Sequence, residues 1–198
     1  MASLTKTGSQ TLLALQSVAA SSVAVGAAFD VSTKLGGIIL VRFGRRSATA
    51  AGAGVNIRLE MSYASAGTSN TWFTFATLTT AFAAVNSQTL GTVASGQNVL
   101  SMAATAGITV GNVVLIDNST VAQIEWGRVK AVSANVSATI EDNLVNTQTG
   151  FIIYNGAEIY NPVAIPEAAL SIRCVADGSL FTQAFAVEAR VTTIDTIA

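Results

Sequence analysis

Histidine is absent from this 198-residue chain, cysteine occurs once and proline twice. Without histidine the commonest general base and metal ligand are missing. A Ser-His-Asp triad is excluded within one chain, and zinc would have to rely on carboxylates. One cysteine, Cys174, excludes an intrachain disulfide and, within "ALSIRCVAD", reads as a small core residue. No run of 18 apolar residues occurs, so no membrane-crossing helix and no membrane partner are expected. "GAG" at 52–54 lacks the Lys-Ser/Thr that completes a phosphate loop. Glu141–Asp142, the only adjacent acid pair, reads as a solvated turn. Together these gaps predict a protein that is not an enzyme, with no cofactor and no metal.

Charge is scarce too. Asp, Glu, Lys and Arg make up 11% of the residues, against about 25% in an average soluble domain. A compact monomer of this mass exposes roughly 9,000 Å². Evenly spread, the charges would stand so far apart that apolar patches approach the ~300–600 Å² that marks the largest patch on a typical monomer. No charge at all occurs from Met61 to Ile116. Hydroxyls and amides must wet this surface, or other subunits must cover it, and both are expected. The net charge of −1 gives no global field for nucleic acid, which is not expected as a partner. Residues 1–60 carry six basic and two acidic side chains, whereas residues 117–198 carry four and nine. These opposite halves meet either within one subunit, the simpler reading, or across a subunit interface. Lys6, "TLLAL" and "VGAA" loosely follow a secretory leader. Gln16, Ser17, Ser21 and Ser22 interrupt its apolar core, so the segment is read as structural chain.

What is present is a period of two. "VNIRLEMS" sets Val55, Ile57, Leu59 and Met61 on one face; "SVAVGAAFDVS" sets Val23, Val25, Ala27, Phe29 and Val31; "QAFAVEARVTT" sets Phe185, Val187, Ala189 and Val191. Such alternation predicts strands with one buried face. "GGIILVRFG" is apolar on both faces up to Arg42, as a central strand is. Asn155–Gly156, Asp177–Gly178 and Ser95–Gly96 predict hairpins, and residues 48–54 a longer loop. "TLLALQSVAASS" is a candidate for three helical turns and "IPEAAL" for one. The chain is expected to be mainly β.

Residues 99–154 have their own rhythm of strands and turns. The order "ITVGNVVLID…EWGRVKAV…TIEDNLVNTQTGFII" resembles the small β-barrel modules of tailed-bacteriophage virion proteins. Gly111 would open a strand, Trp126 or Val129 would lead into a second, and Leu144 would close the last turn. Asn112 stands where that pattern usually has Asp. "FDVSTKLGGIILVRFGRRSATAAGAGVNIRLEMSYASAGTSNTWFTFATLTT" is similar to the sandwich domains of phage capsid-decoration and tail proteins. The resemblance implies a β-sandwich with an inserted small β-barrel-like domain. Residues 1–86 and 156–198 would form the discontinuous sandwich and 87–155 the inserted module. Insertion at a loop is cheap because closure entropy grows slowly with length.

Two stretches are candidate contact sites. "RFGRR" carries Arg42, Arg45 and Arg46 around Phe43. It is read as a strand end whose arginines reach solvent and nearby carboxylates, or as an electrostatic anchor on an acidic partner surface or on nucleic acid. "NTWFTFATLTTAF" carries Trp72, Phe73, Phe75 and Phe82. These are too many for one face at period two, so they form a core strand with an aromatic edge, or a face that packs on a neighbouring subunit. The resemblance implies a structural virion protein, assembled in the bacterial host cytoplasm. The expected role is capsid decoration or cement, bound across major capsid protein or other virion subunits, as a homotrimer or other homo-oligomer. The alternative is a tail or fibre component whose face binds host surface polysaccharide, in which case Trp72 or Trp126 would lie in a shallow groove. A hydrolase would need two of Asp117, Glu125, Glu141 and Asp142 facing each other across a groove.

Overall fold

A computed structural model describes residues 4–46, 54–66, 71–79, 86–154 and 156–197. In chain order the strands are β1 (Leu4–Lys6), β2 (Gln10–Val18), β3 (Val23–Val25), β4 (Phe29–Asp30), β5 (Gly36–Arg45), β6 (Asn56–Ser62), β7 (Phe73–Thr79), β8 (Asn86–Val93), β9 (Val99–Ser101), β10 (Val113–Asp117), β11 (Glu125–Ser133), β12 (Ser137–Ile140), β13 (Gln148–Tyr154), β14 (Ala157–Ile159), β15 (Val163–Ala164), β16 (Ser171–Asp177) and β17 (Phe185–Ile197). One 3-10 turn, Val121–Gln123, is the only helical element among the described residues.

Two sheets face each other as a sandwich. In the larger, β17 lies between β5 on one edge and β1 and β2 on the other, while β14 and β15 continue from β5. In the smaller, β16 lies between β6 and the short β3 and β4, and β7 forms the edge beyond β6 among the described residues. Alternation fills the space between them. Ile39, Val41 and Phe43 of β5 and Val187, Ala189 and Val191 of β17 meet Ile57 and Leu59 of β6 and Ile172, Cys174 and Ala176 of β16. Phe43, Phe181 and Phe185 form an aromatic triangle with centroids 5.6–6.5 Å apart. Burial pushes the Cys174 thiol up to about 12, with Glu60 adding to the shift, so it is an inert core residue.

The third sheet, β8-β13-β10-β11-β12-β9, comes wholly from one continuous segment. Its end strands β8 and β9 lie against each other, so it curls into a barrel-like shape. Leu100, Val114, Ile116, Val129, Ala138 and Ile152 fill its interior. Gly111 opens β10 with φ +91°, a conformation that favours glycine. Leu144 is buried at the last turn. The architecture is thus nearly all β, a sandwich joined to a barrel-like module.

Several local expectations are corrected. "TLLALQSV" is the strand β2 and not a helix, because β17 offers it a long edge to pair with. "IPEAAL" forms one hydrogen-bonded turn, Ala169 N–H to Pro166 O. In β3 the pattern is inverted: Ala24 is buried, while Val23 and Val25 are about half exposed. At Asp177–Gly178 and Ser95–Gly96 the flanking strands do not pair with each other as a hairpin. β16 and β17 flank Asp177–Gly178 but belong to opposite sheets. Asn155 lies outside the described residues; β13 before it pairs within the barrel-like sheet and β14 after it within the sandwich. β8 and β9 flank Ser95–Gly96 but join different ladders. The loop expected at 48–54 lies largely outside the described residues.

Candidate functional site

β7 is an uncharged strand with no partner beyond β6 among the described residues. Its partner β6 covers one side, and register shifts by a bulge between Leu59 and Glu60. The bulge lets both Phe75 and Ala76 reach toward the core, with Leu78. Phe73 does not follow: it is 47% exposed and packs against Tyr63, 56% exposed, with ring centroids 5.6 Å apart. Trp72, just before the strand, is half-buried beneath the Arg173 guanidinium, 4.2 Å from the ring centroid. Arg173 is held there by Glu60 at 2.7 Å, and Glu60 also meets Arg58. Phe82 lies outside the described residues. Sequence reasoning missed Tyr63, whose signal was its place near the start of the charge-free run.

The "RFGRR" arginines take three different environments. Arg45 shares the inward face of β5 with Val41 and Phe43, is buried, and lies over Phe181 at 5.0 Å. Arg46 forms a two-point bond to Asp117 of β10, Nε to Oδ2 at 2.6 Å and Nη2 to Oδ1 at 3.0 Å. Arg42 keeps a partly exposed side chain, and its Nη1 stands 3.7 Å from Glu188. The basic and acidic halves of the chain therefore meet within the subunit, as Lys34–Asp195, Arg58–Asp177, Arg46–Asp117 and Arg42–Glu188 all show.

Asp177 accepts a 2.9 Å bond from Arg58 Nη1 and is capped by Ser179. The Arg58 bond, then the Ser179 contacts, hold its carboxyl at about 2 against an ordinary 3.8. The folded form thus favours the ionised group, and the stabilisation is fully present above pH 3.8 and lost as pH falls through about 2. The thermal midpoint should drop over that window, and Asp177→Asn should remove part of the drop. An identical acid profile in the variant would show that the pair contributes nothing to folding. Asp195, lowered by Lys34 and then Thr7, acts in the same direction.

The two modules meet along β5 and β10. Trp126 donates its indole N–H to Phe43 O at 2.9 Å, and Leu115, Ile124, Ala157 and Ala186 form a small apolar junction. Gly44 permits this approach: a Cβ there would sit 2.8 Å from Leu115 Cδ1. Beside the junction runs a groove of about 330 Å³ lined by Arg42, Glu125, Trp126, Asp142, Asn143 and Glu188. Glu125 is committed to structure. It accepts bonds from Val145 N–H, from Asn146 through backbone and amide, and from Gln148 Nε2. Asp117 is likewise taken up by Arg46 and Ser119. Neither is placed as the free acid or base that hydrolysis requires.

No protein-family model matches the chain, and no curated protein matches it. Among solved structures, VP17, a capsid protein of bacteriophage P23-77, aligns over 98% of this chain and 100% of its own at 9% identity, with a TM-score of 0.20. The complex of VP16 and VP17, the two major capsid proteins of the same phage, aligns over 95% and 100%, again at 9% identity and a TM-score of 0.20. A TM-score of 0.20 is too low to assign either topology or role to this chain.

Proposed function

We propose that the protein is a structural subunit of a tailed-phage virion, and specifically a capsid decoration protein that binds across neighbouring subunits. The observation that carries this reading is β7: a seven-residue uncharged edge strand with no proline, flanked by an exposed Tyr63–Phe73 pair. Monomeric proteins blunt such edges with charge, proline or cover, because an open edge templates pairing with another chain. Here the nearest device is the Arg173–Trp72 stack, which leaves Phe73 open. The resemblance of the sequence to virion β modules supports the same reading. The partners proposed are major capsid protein or other virion subunits, together with further copies of this chain as a homotrimer or other homo-oligomer. Residues 87–155 are proposed as the inserted unit, since the third sheet closes on itself within residues 86–154.

The contribution of such a protein is buried area and not turnover. Specific interfaces bury about 1,200–2,000 Å² in total, a modest share of the 9269 Å² exposed by the chain. Sedimentation of the purified chain across a wide concentration range is the first test, followed by co-sedimentation with empty capsids and, separately, with tails. Self-association with capsid binding is the expected result. A chain that stays monomeric and binds neither particle part overturns the proposal; binding to tails alone moves the subunit from the capsid to the tail.

A further inference from the structure

We propose that the groove between the sandwich and the barrel-like module is a saccharide-binding site. This deepens the host-polysaccharide alternative, and it stands whether the subunit sits on capsid or tail. Failure of the association experiment leaves it untouched.

Internal hydrogen bonds hold the residues that shape the groove. Glu125 pins the 145–148 segment through four hydrogen bonds, one of them from Gln148, which also donates to Gln123 O at 2.6 Å. Trp126 spends its indole N–H on Phe43 O, which fixes the ring and leaves only its faces and edges to offer. Glu188 spends its short bond, 2.7 Å, on Arg190. The site is therefore built before any ligand arrives, which lowers the ordering cost of binding.

The residues that remain unspent have complementary chemistry. Arg42 keeps a partly exposed guanidinium whose Nη1 stands 3.7 Å from Glu188, too long for a hydrogen bond. Asp142 and Asn143 line the groove as exposed side chains, and neither makes a side-chain hydrogen bond among the described residues. This set supplies a planar cationic donor, an anionic acceptor, and an amide that does both. Vicinal hydroxyls need that mixture, because each hydroxyl both donates and accepts. The half-buried Trp126 adds an apolar platform for the C–H face of a pyranose ring. An anionic ligand fits poorly, since Glu125, Asp142 and Glu188 outnumber Arg42 in the lining. At about 330 Å³ the groove lies at the small end of ligand sites, which run from about 300 to 1,000 Å³.

The test is calorimetric titration of the full chain with maltotriose, with the trisaccharide of N-acetylglucosamine, and with lactose, which differ in ring stereochemistry and substituents. At least one should bind with a Kd on the order of 1 mM. Asp142→Ala and Asn143→Ala should each weaken that binding about tenfold, the equivalent of one lost hydrogen bond. Both side chains are exposed, so the thermal midpoint should not move. Trp126→Phe, which keeps an aromatic face but loses the bond to Phe43, should weaken binding less than Trp126→Ala. Absence of heat with all three sugars overturns the proposal. So does binding that persists unchanged in the Asp142→Ala/Asn143→Ala double variant, because the sugar would then lie elsewhere.

Discussion

Replacing Arg46 by alanine is expected to cost the folded protein about 3–5 kcal/mol, the range for breaking a buried ion pair from one side. The Asp117 carboxylate has no solvent exposure, while Arg46 is 17% exposed. Both guanidinium bonds to it are short, and the other bond to the carboxylate comes from Ser119 N–H at 2.7 Å. Removing Arg46 leaves an ionised group in a low-dielectric site with one donor. With a typical domain stability of only about 5–15 kcal/mol, that loss is severe. Denaturant unfolding of the variant should show the midpoint lowered by the corresponding amount. Arg46→Ala/Asp117→Asn should recover part of the loss, since a neutral amide is cheaper to bury than a lone carboxylate. A single-variant loss below about 1 kcal/mol would place this pair with ordinary surface salt bridges. The bond spans the junction of sandwich and barrel-like module, so the variant also tests whether the groove beside it depends on their docking.

Little of that junction was legible in the sequence, and the reason is physical. Period-two patterning reports which face of a strand is buried, and it placed Val187 and Leu59 in the core, where they lie. It did not place Arg45: "RFGRR" reads as a strand end with arginines reaching solvent, whereas Arg45 is buried on the inward face with Phe43, two residues away. It failed at β3, where Gly26 explains the inversion. A Cβ there would come within 2.2 Å of Leu12 O, so the backbone passes close to β2 and turns Ala24 inward. Turn dipeptides report that the chain reverses, but not which sheet the next strand joins. At Asp177–Gly178 the chain crosses between sheets around Phe181 and Phe185, and a Cβ on Gly178 would strike Phe185 at 2.5 Å. The Trp126–Phe43 and Arg46–Asp117 contacts join residues more than 70 positions apart. No local pattern encodes such pairs, and the groove exists only because of them.

Phe73→Lys is expected to weaken assembly by about 100-fold or more, the equivalent of losing an interface hot spot worth roughly 3 kcal/mol. The prediction turns on the difference between assembly and folding. Phe73 is half exposed in the subunit and its main aromatic contact is the equally exposed Tyr63. Truncating it therefore removes little core packing, and surface changes of this kind stay within about 0.5 kcal/mol. A lysine on a free edge also works against pairing with another chain, as natural edge strands show. Melting of the variant should be close to that of the parent, while sedimentation and capsid binding should shift strongly toward the free monomer. Leu180→Lys supplies the comparison: Leu180 is 76% exposed in the turn between β16 and β17 and lies outside the proposed contact. If Leu180→Lys abolishes association and Phe73→Lys leaves it intact, the contact surface is on the turn between the sheets and not on β7. If both variants assemble like the parent, neither apolar site is buried by a neighbour, and the scarcity of charge must be met by hydroxyls and amides alone.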